Sequence, residues 1–494
     1  MKKTLAVLLS LLLIIPLSGC GQTDVFSPQN PVTITIWHYY ASNLQAVFEE
    51  SVAEFNNTRG KELGIVVDTL QVSNIDVLTD KIVASAAKEV GADPLPDLIF
   101  AYTSTVLDLD SRGLIADIAP YFTEEELEQY LPSFLEEGRM GADNALKSFP
   151  VAKSSEIVFV DNSVYDVFKE EVNAAAGSVL VNDDMLLTCE GIARIADLYY
   201  QWTDGKTPDI PYDGKAFFGV DATPNFISVG ARQLSQIPPV TVQEDGAPAF
   251  TLGKNTARTL WEYYVTNIAT GRFAEIGWYR ADDMKTGDLI AYLGSTGGAS
   301  YFPLEIAQQD GTVRQTELLV SRYPTFSGSR SVTIQQGAGM SIIKTEERRQ
   351  RAAAEFLRWF TEPGQNVEYA MASGYSPVQK SEHTGELLEQ ALSSLESQGG
   401  ALSLNISKVL HLASRQMNEY ELTVDKEFPG SYDIRNMFGN KLSEAAQTAK
   451  TAYEAALSGG MSPGKALKSC VNEAAFEAWY RDIQAQYNAL TAGA

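Results

Sequence analysis

From residue 32 onward the chain alternates. Val32, Ile34 and Ile36 are separated by Thr33 and Thr35, the period of two that puts one set of side chains on each face of a strand. Apolar residues then recur at Leu44, Val47, Phe48, Val52 and Phe55, three to four apart, which predicts a helix. A second strand is expected over 64–70, a second helix over 75–90, and a third strand over 98–101, bounded by Pro96-Asp97. Strand, helix, strand, helix, strand in that order favours a parallel sheet with right-handed crossovers. Ligands of such sheets sit beyond the carboxyl ends of the strands. Trp37-His38-Tyr39-Tyr40 follows the first strand there and Tyr102-Thr103 the third. Four polar-edged rings in a row are harder to bury as core than one.

Further along, Thr123 with Glu126 three residues later forms a capping box, so the acidic run 124–126 needs no catalytic explanation. A second α/β region is expected from Ile157, with helices around 191–202 and 256–268, and amphipathic helices at 352–360 and 442–457. A chain of 494 residues exceeds what one ordinary core holds, so two or more lobes are expected.

The amino terminus has a different pattern. Lys2 and Lys3 precede an apolar run over 5–17, shorter than the ~20 residues that span a bilayer, and small residues close it, the layout of a secretory leader. Leu17-Ser18-Gly19-Cys20 resembles a bacterial lipobox, which implies cleavage before Cys20 and its lipidation. Residues 21–31 read as a polar tether, with Ser27, Pro28 and Pro31 opposing regular structure. No other run of eighteen apolar residues occurs, so the body is expected to be soluble. The net charge of −25 argues against nucleic acid and against adhesion to anionic lipid. Cys189 and Cys470 are distant in sequence, and His38, His383 and His411 are scattered, so neither a metal site nor a cofactor is expected. Export permits a disulfide between the two cysteines; two buried free thiols are the plainer reading.

Several segments, taken in order, resemble the family 1 extracellular solute-binding proteins of ABC importers. They are Thr35-Ile36-Trp37-His38, Phe149-Pro150-Val151-Ala152-Lys153-Ser154-Ser155, Gly294-Ser295-Thr296-Gly297-Gly298, Gly337-Ala338-Gly339-Met340, Ala354-Glu355-Phe356-Leu357-Arg358-Trp359-Phe360 and Ser373-Gly374-Tyr375-Ser376-Pro377-Val378. The resemblance implies a periplasmic-binding-protein-like (type II) α/β fold: two lobes, three crossings and a ligand cleft between them. The crossings are expected near 153–156, 294–297 and 336–339. That assigns 32–152 plus 298–335 to the first lobe and 157–293 plus 340–494 to the second. It also implies a non-catalytic monomer that hands a small solute to a permease and an ATPase, held at the membrane by its N-terminal lipid.

Within the family the pattern is most similar to the binding proteins for sn-glycerol 3-phosphate. On that resemblance the ligand residues are Trp37, His38, Tyr102, Ser155, Ser295, Thr296, Gly337, Tyr375 and Arg435. Hydroxyls, a backbone amide, a phenol and a guanidinium suit an oxyanion. The chain departs from that subgroup at Thr103, where an acidic residue stands, and at Ile75, where a tyrosine stands. Two other functions compete. Trp37, Tyr39, Tyr40 and Tyr102 could stack on the faces of a neutral sugar. A lipid-anchored glycoside hydrolase would need two carboxylates roughly 5–10 Å apart across a bond. No Gly-x-Ser-x-Gly elbow, Walker motif or dinucleotide fingerprint is present.

Overall fold

A computed structural model describes residues 26–492 except 41, 142, 244–245, 278, 308–310, 383–385 and 398. Cys20 with its leader, most of the expected tether and His383 therefore lie outside the described residues. Phe26 packs on the first lobe's core, and the Asn30 amide closes a turn onto Ser27 at 3.0 Å. The tether expected over 21–31 is thus fastened to the body from residue 26.

The expected opening order holds. Strand β1 (Val32–His38), helix α1 (Ser42–Asn57), strand β2 (Ile65–Gln71), helix α2 (Ile75–Ala86) and strand β3 (Leu98–Ala101) follow one another, and the short α3 (Thr103–Ser111) starts at the end of β3. β1 runs parallel to both β2 and β3. Helix α4 (Pro132–Gly138) then leads to strand β4 (Glu156–Asp161), the first element of the second lobe. There follow β5 (Phe218–Val220), α5 (Thr223–Ser235), β6 (Ala291–Ser295), β7 (Leu318–Ser321) and β8 (Val332–Ile334). The chain continues with β9 (Gly339–Ile342), α6 (Glu347–Phe360), α7 (Pro363–Ser373), α8 (Ala401–Glu419), β10 (Glu421–Thr423) and the long α9 (Ser431–Ser458). The sheets are ordered β9-β3-β1-β2 and β7-β4-β6-β5. Among the described residues no helix is long and apolar enough to cross a membrane.

Strand pairing corrects the expected lobe boundaries. β7 hydrogen-bonds antiparallel to β4, pairing Leu319 with Val160, and Leu318 joins the second lobe's core with Phe159 and Tyr292. The segment 298–335 therefore belongs to the second lobe. β9 instead pairs antiparallel with β3 in the first sheet. Helix α6 buries its apolar face on α1, with Phe356 against Phe55 at 5.3 Å and Phe360 against Phe48 at 5.7 Å between ring centroids. Residues 339–360 thus complete the first lobe, and the chain returns to the second with α8 and α9.

The crossings move accordingly. Gly294 and Gly297 flank the end of β6, and the following Ala299 and Phe302 stay in the second lobe's core, so the chain does not cross there. Three short extended segments meet at the junction instead. Ser154 pairs with Gln336, and Lys153 with Ser376. The Lys153 ammonium, almost fully buried, binds the Glu137 carboxylate of α4 and the Gly337 carbonyl, each at 2.9 Å. That ion pair stitches the first lobe to two crossings at once, and removing either partner would leave a buried charge unpaired.

Candidate functional site

A cleft of about 540 Å³ opens at this junction. Its floor is the crossing segment, with Ser154, Gln336, Gly337 and Tyr375. Tyr39 and Tyr102 to Ser104 face it from the first lobe, and the starts of α5 and α9 face it from the second.

Three helices therefore point their amino termini into one space. Thr103 and Ser104 begin α3, Pro224 and Asn225 lie in the first turn of α5, and Ser431 begins α9. None of the three has a side-chain cap on its first turn. Each end leaves backbone N–H groups without helical partners and carries about half a positive charge. Among the described residues the guanidinium lining the cleft is that of Arg435, which comes from α9 and donates to the Asn225 Oδ1 at 2.8 Å. No carboxylate lies within 4.0 Å of it among the described residues, Asp433 included.

Four carboxylates line the same cleft, those of Asp76, Glu137, Asp425 and Glu427, and Glu137 is engaged by Lys153 as described above. Asp425 binds the Arg232 guanidinium at 2.7 Å and the Ser228 hydroxyl at 2.9 Å. Glu427 accepts from the Thr103 hydroxyl at 3.2 Å, across the cleft from the other lobe, and from Ser431. Burial pushes its carboxyl up from the usual range. Thr103, the departure from the glycerol-phosphate pattern, thus meets a carboxylate delivered by the opposite lobe. Deeper still, burial pushes Glu156 up to about 7, while Asn225 and Arg435 pull it back.

Five of the nine residues expected from the sequence line this space: Tyr102, Ser295, Gly337, Tyr375 and Arg435. A hydrogen bond joins the Tyr375 and Tyr39 hydroxyls, and burial pushes Tyr375 up to about 12. Gly337 has φ 118°, and a Cβ there would meet the Ala152 carbonyl at 3.2 Å. The other four are buried away from the cleft. β1 extends to His38, pairing Trp37 with Leu70 and Ile99 and His38 with Gln71, so neither residue lies beyond the strand. Trp37 is core, with the Lys81 ammonium 4.6 Å from its ring. His38 sits between Tyr40 and Phe48; neither ring nitrogen has a partner, and burial pushes its pKa down to about 4. The first aromatic past the strand is Tyr39. Ser155 turns inward to Thr333 at 2.9 Å and Gln416 at 3.1 Å, and Thr296 accepts from the Ser155 amide.

Sequence reasoning missed Asn225, Asp425 and Glu427. Asn225 follows Pro224 at a helix start and Glu427 precedes Pro429-Gly430, signals of a helix beginning but not of what it faces. Cys189 and Cys470 are both free thiols, the first buried and the second half-buried.

Two α/β lobes and a polar cleft at the segments between them define a solute-binding fold. The sequence model for the bacterial extracellular solute-binding proteins matches residues 50–391, and the chain belongs to that family. Among solved structures it is similar to UgpB from Mycobacterium tuberculosis in complex with glycerophosphocholine, with TM-score 0.60, 15% identity, and 92% of this chain and 98% of that one covered. It is also similar to the cyclic α-maltosyl-1,6-maltose binding protein from Arthrobacter globiformis, with TM-score 0.59, 18% identity, and 92% and 100% covered. A third is Lmo0181 from Listeria monocytogenes in complex with cycloalternan, with TM-score 0.60, 13% identity, and 92% and 100% covered. No curated protein matches by sequence.

Proposed function

We propose that this chain is the lipid-anchored receptor of an ABC importer and that its solute is a small organic phosphate, such as sn-glycerol 3-phosphate or a glycerophosphodiester. One observation carries the choice of solute: three uncapped helix starts and a guanidinium without a carboxylate converge on one cleft. Such an arrangement favours an anion twice over, through free N–H donors and through the helix dipoles. A guanidinium adds a planar fork able to bind two phosphate oxygens. The Glu427 carboxylate and the Thr103 hydroxyl suit the hydroxyl-bearing end of the same molecule. Closure of the lobes would then bring both ends of the solute into contact, and the better contact of the closed state drives the shift.

A second reading has its own support. Tyr102, Tyr279 and Tyr432 stand at the cleft and are 39%, 59% and 44% exposed, a set suited to stacking on sugar faces. Both readings meet in one experiment. In a thermal-shift screen of glycerophosphodiesters, sugar phosphates and oligosaccharides, a ligand at about 100 times its dissociation constant stabilises the native state by ~2.7 kcal/mol. Calorimetric titration of the best ligand then follows. A hydrogen bond to a charged group contributes roughly 1.5–3 kcal/mol, so Arg435→Ala should bind a phosphate ester about ten- to more than a hundredfold more weakly, and Arg435→Lys should restore part of the loss. Unchanged affinity in a folded Arg435→Ala protein would favour the carbohydrate.

A further inference from the structure

Behind Arg435 lies a buried amide with every hydrogen-bonding group in use. The Asn225 Oδ1 accepts from Arg435 at 2.8 Å. Its Nδ2 donates to the Glu156 Oε1 at 2.7 Å and to the Gln336 Oε1 at 3.0 Å. The amide's orientation follows from these partners, since a guanidinium can only donate while a carboxylate oxygen and an amide oxygen accept. Asn225 is 4% exposed and Glu156 2%. The three partners belong to α9, to the strand that leaves the first crossing, and to the second crossing. Asparagine alone fits this position well: leucine offers no donor, and aspartate would set a second carboxylate against Glu156.

Glu156 has a feature that the fold leaves unused. Its second carboxylate oxygen is buried and has no hydrogen-bond partner. The titratable groups that face it are Asp221, which raises its pKa; Arg435, which lowers it; and Tyr323, held neutral because burial pushes its phenol far up. Ser295 stands opposite on β6 and the Gln416 amide of α8 binds the Glu156 carbonyl at 2.9 Å, neither of them charged. An unpartnered buried oxygen on a carboxyl group is a place for a proton.

We propose that Asn225 is the positioning residue of the solute site: it presents the Arg435 guanidinium to the cleft and couples the charge there to one proton on Glu156. With the cleft empty, the guanidinium's field favours the carboxylate. An anionic group drawn onto Arg435 cancels that field, and Glu156 then binds a proton. Solute binding therefore takes up a proton near neutral pH, and affinity for an anion rises as pH falls through the titration range of Glu156. The proton uptake rests on the organic-phosphate reading; the link from Arg435 to Glu156 does not.

Two measurements separate these parts. In the ligand-free protein, infrared difference spectra across pH should contain a carboxylic-acid carbonyl band with a midpoint near 7 that disappears in Glu156→Gln. Arg435→Gln should move that midpoint upward by about one pH unit, and Asn225→Ser should move it in the same direction. An unmoved midpoint in Arg435→Gln overturns the coupling, whether or not Asn225→Ser folds. Second, glycerophosphocholine is titrated calorimetrically at pH 7 in PIPES and in imidazole, which differ in ionisation enthalpy; this phosphodiester has no proton of its own to exchange there. Wild type should take up a fraction of a proton and Glu156→Gln less, with Asp221 and Glu427 present in both. Equal uptake in the two proteins overturns the assignment to Glu156. If glycerophosphocholine fails to bind while the infrared midpoint still follows Arg435 and Asn225→Ser, the choice of solute falls and the link from Arg435 through Asn225 to Glu156 stands; an unmoved midpoint in a folded Asn225→Ser protein overturns the role of Asn225.

Discussion

Trp37 and Tyr102 both follow apolar strand residues, yet the structure gives them opposite work. Trp37 is 3% exposed inside the first lobe, whereas Tyr102 is 39% exposed at the cleft. Emptying a buried aromatic site costs about 3–5 kcal/mol, so Trp37→Ala should lower the urea midpoint strongly and leave the affinity of the folded fraction unchanged. Tyr102→Ala should weaken solute binding and move the midpoint little. Equal stability loss in the two variants would place both rings in the core. Neighbouring residues explain why sequence alone could not assign every member of the site. Ser154 lines the cleft while Ser155 faces Thr333 and Gln416; Ser295 lines it while Thr296 is buried. Ser154 and Ser155 are successive on an extended segment and point to opposite sides, whereas Thr296 opens a short 3-10 helix behind Ser295. Trp37 and His38 lie inside β1 rather than beyond it, since the strand runs two residues further than its alternation suggests.

At the scale of elements, the opening β-α-β-α-β was legible because each piece carries its own periodicity within a short window. The crossings were not. Gly294-Ser295-Thr296-Gly297 has the composition of a hinge, but which lobe a segment joins depends on the strand it pairs with, and β7 finds β4 from far away in sequence. Gly337 is the case where local and global readings agree. Its φ of 118° is a conformation that an L side chain disfavours, and the crossing segments run close on either side of it. Gly337→Ala should cost about 1–3 kcal/mol in urea unfolding and weaken solute binding as well, because its backbone borders the cleft. A variant with wild-type stability and affinity would remove Gly337 from the working part of the junction.

At the scale of the whole molecule, the proposed lipid anchor is open to a direct test. The resemblance of Leu17-Ser18-Gly19-Cys20 to a lipobox leads to the expectation that Cys20→Ser either releases the protein from the membrane fraction or stalls it with its leader attached. Processing and fractionation like wild type would remove Cys20 as the anchor. Phe26 packs on the first lobe, and it follows Cys20 by only a few residues in the sequence. Two of the cleft's acidic members, Glu427 and Asp425, were invisible in the sequence because their meaning comes from meeting Thr103 and Arg232 across long chain separations.

The alternation of the chain between lobes sets a timetable for synthesis. A chain exported from its amino terminus presents β1, β2 and β3 first, but the edge of β3 and the aromatic face of α1 stay uncovered until β9 and α6 arrive more than two hundred residues later. Early sheet and late cover are separated by nearly all of the second lobe's strands. Long-range pairing of this kind is slow and leaves strand edges open to wrong partners. The first lobe's opening strands therefore emerge early and wait for residues 339–360 before their sheet edge and the aromatic face of α1 are covered.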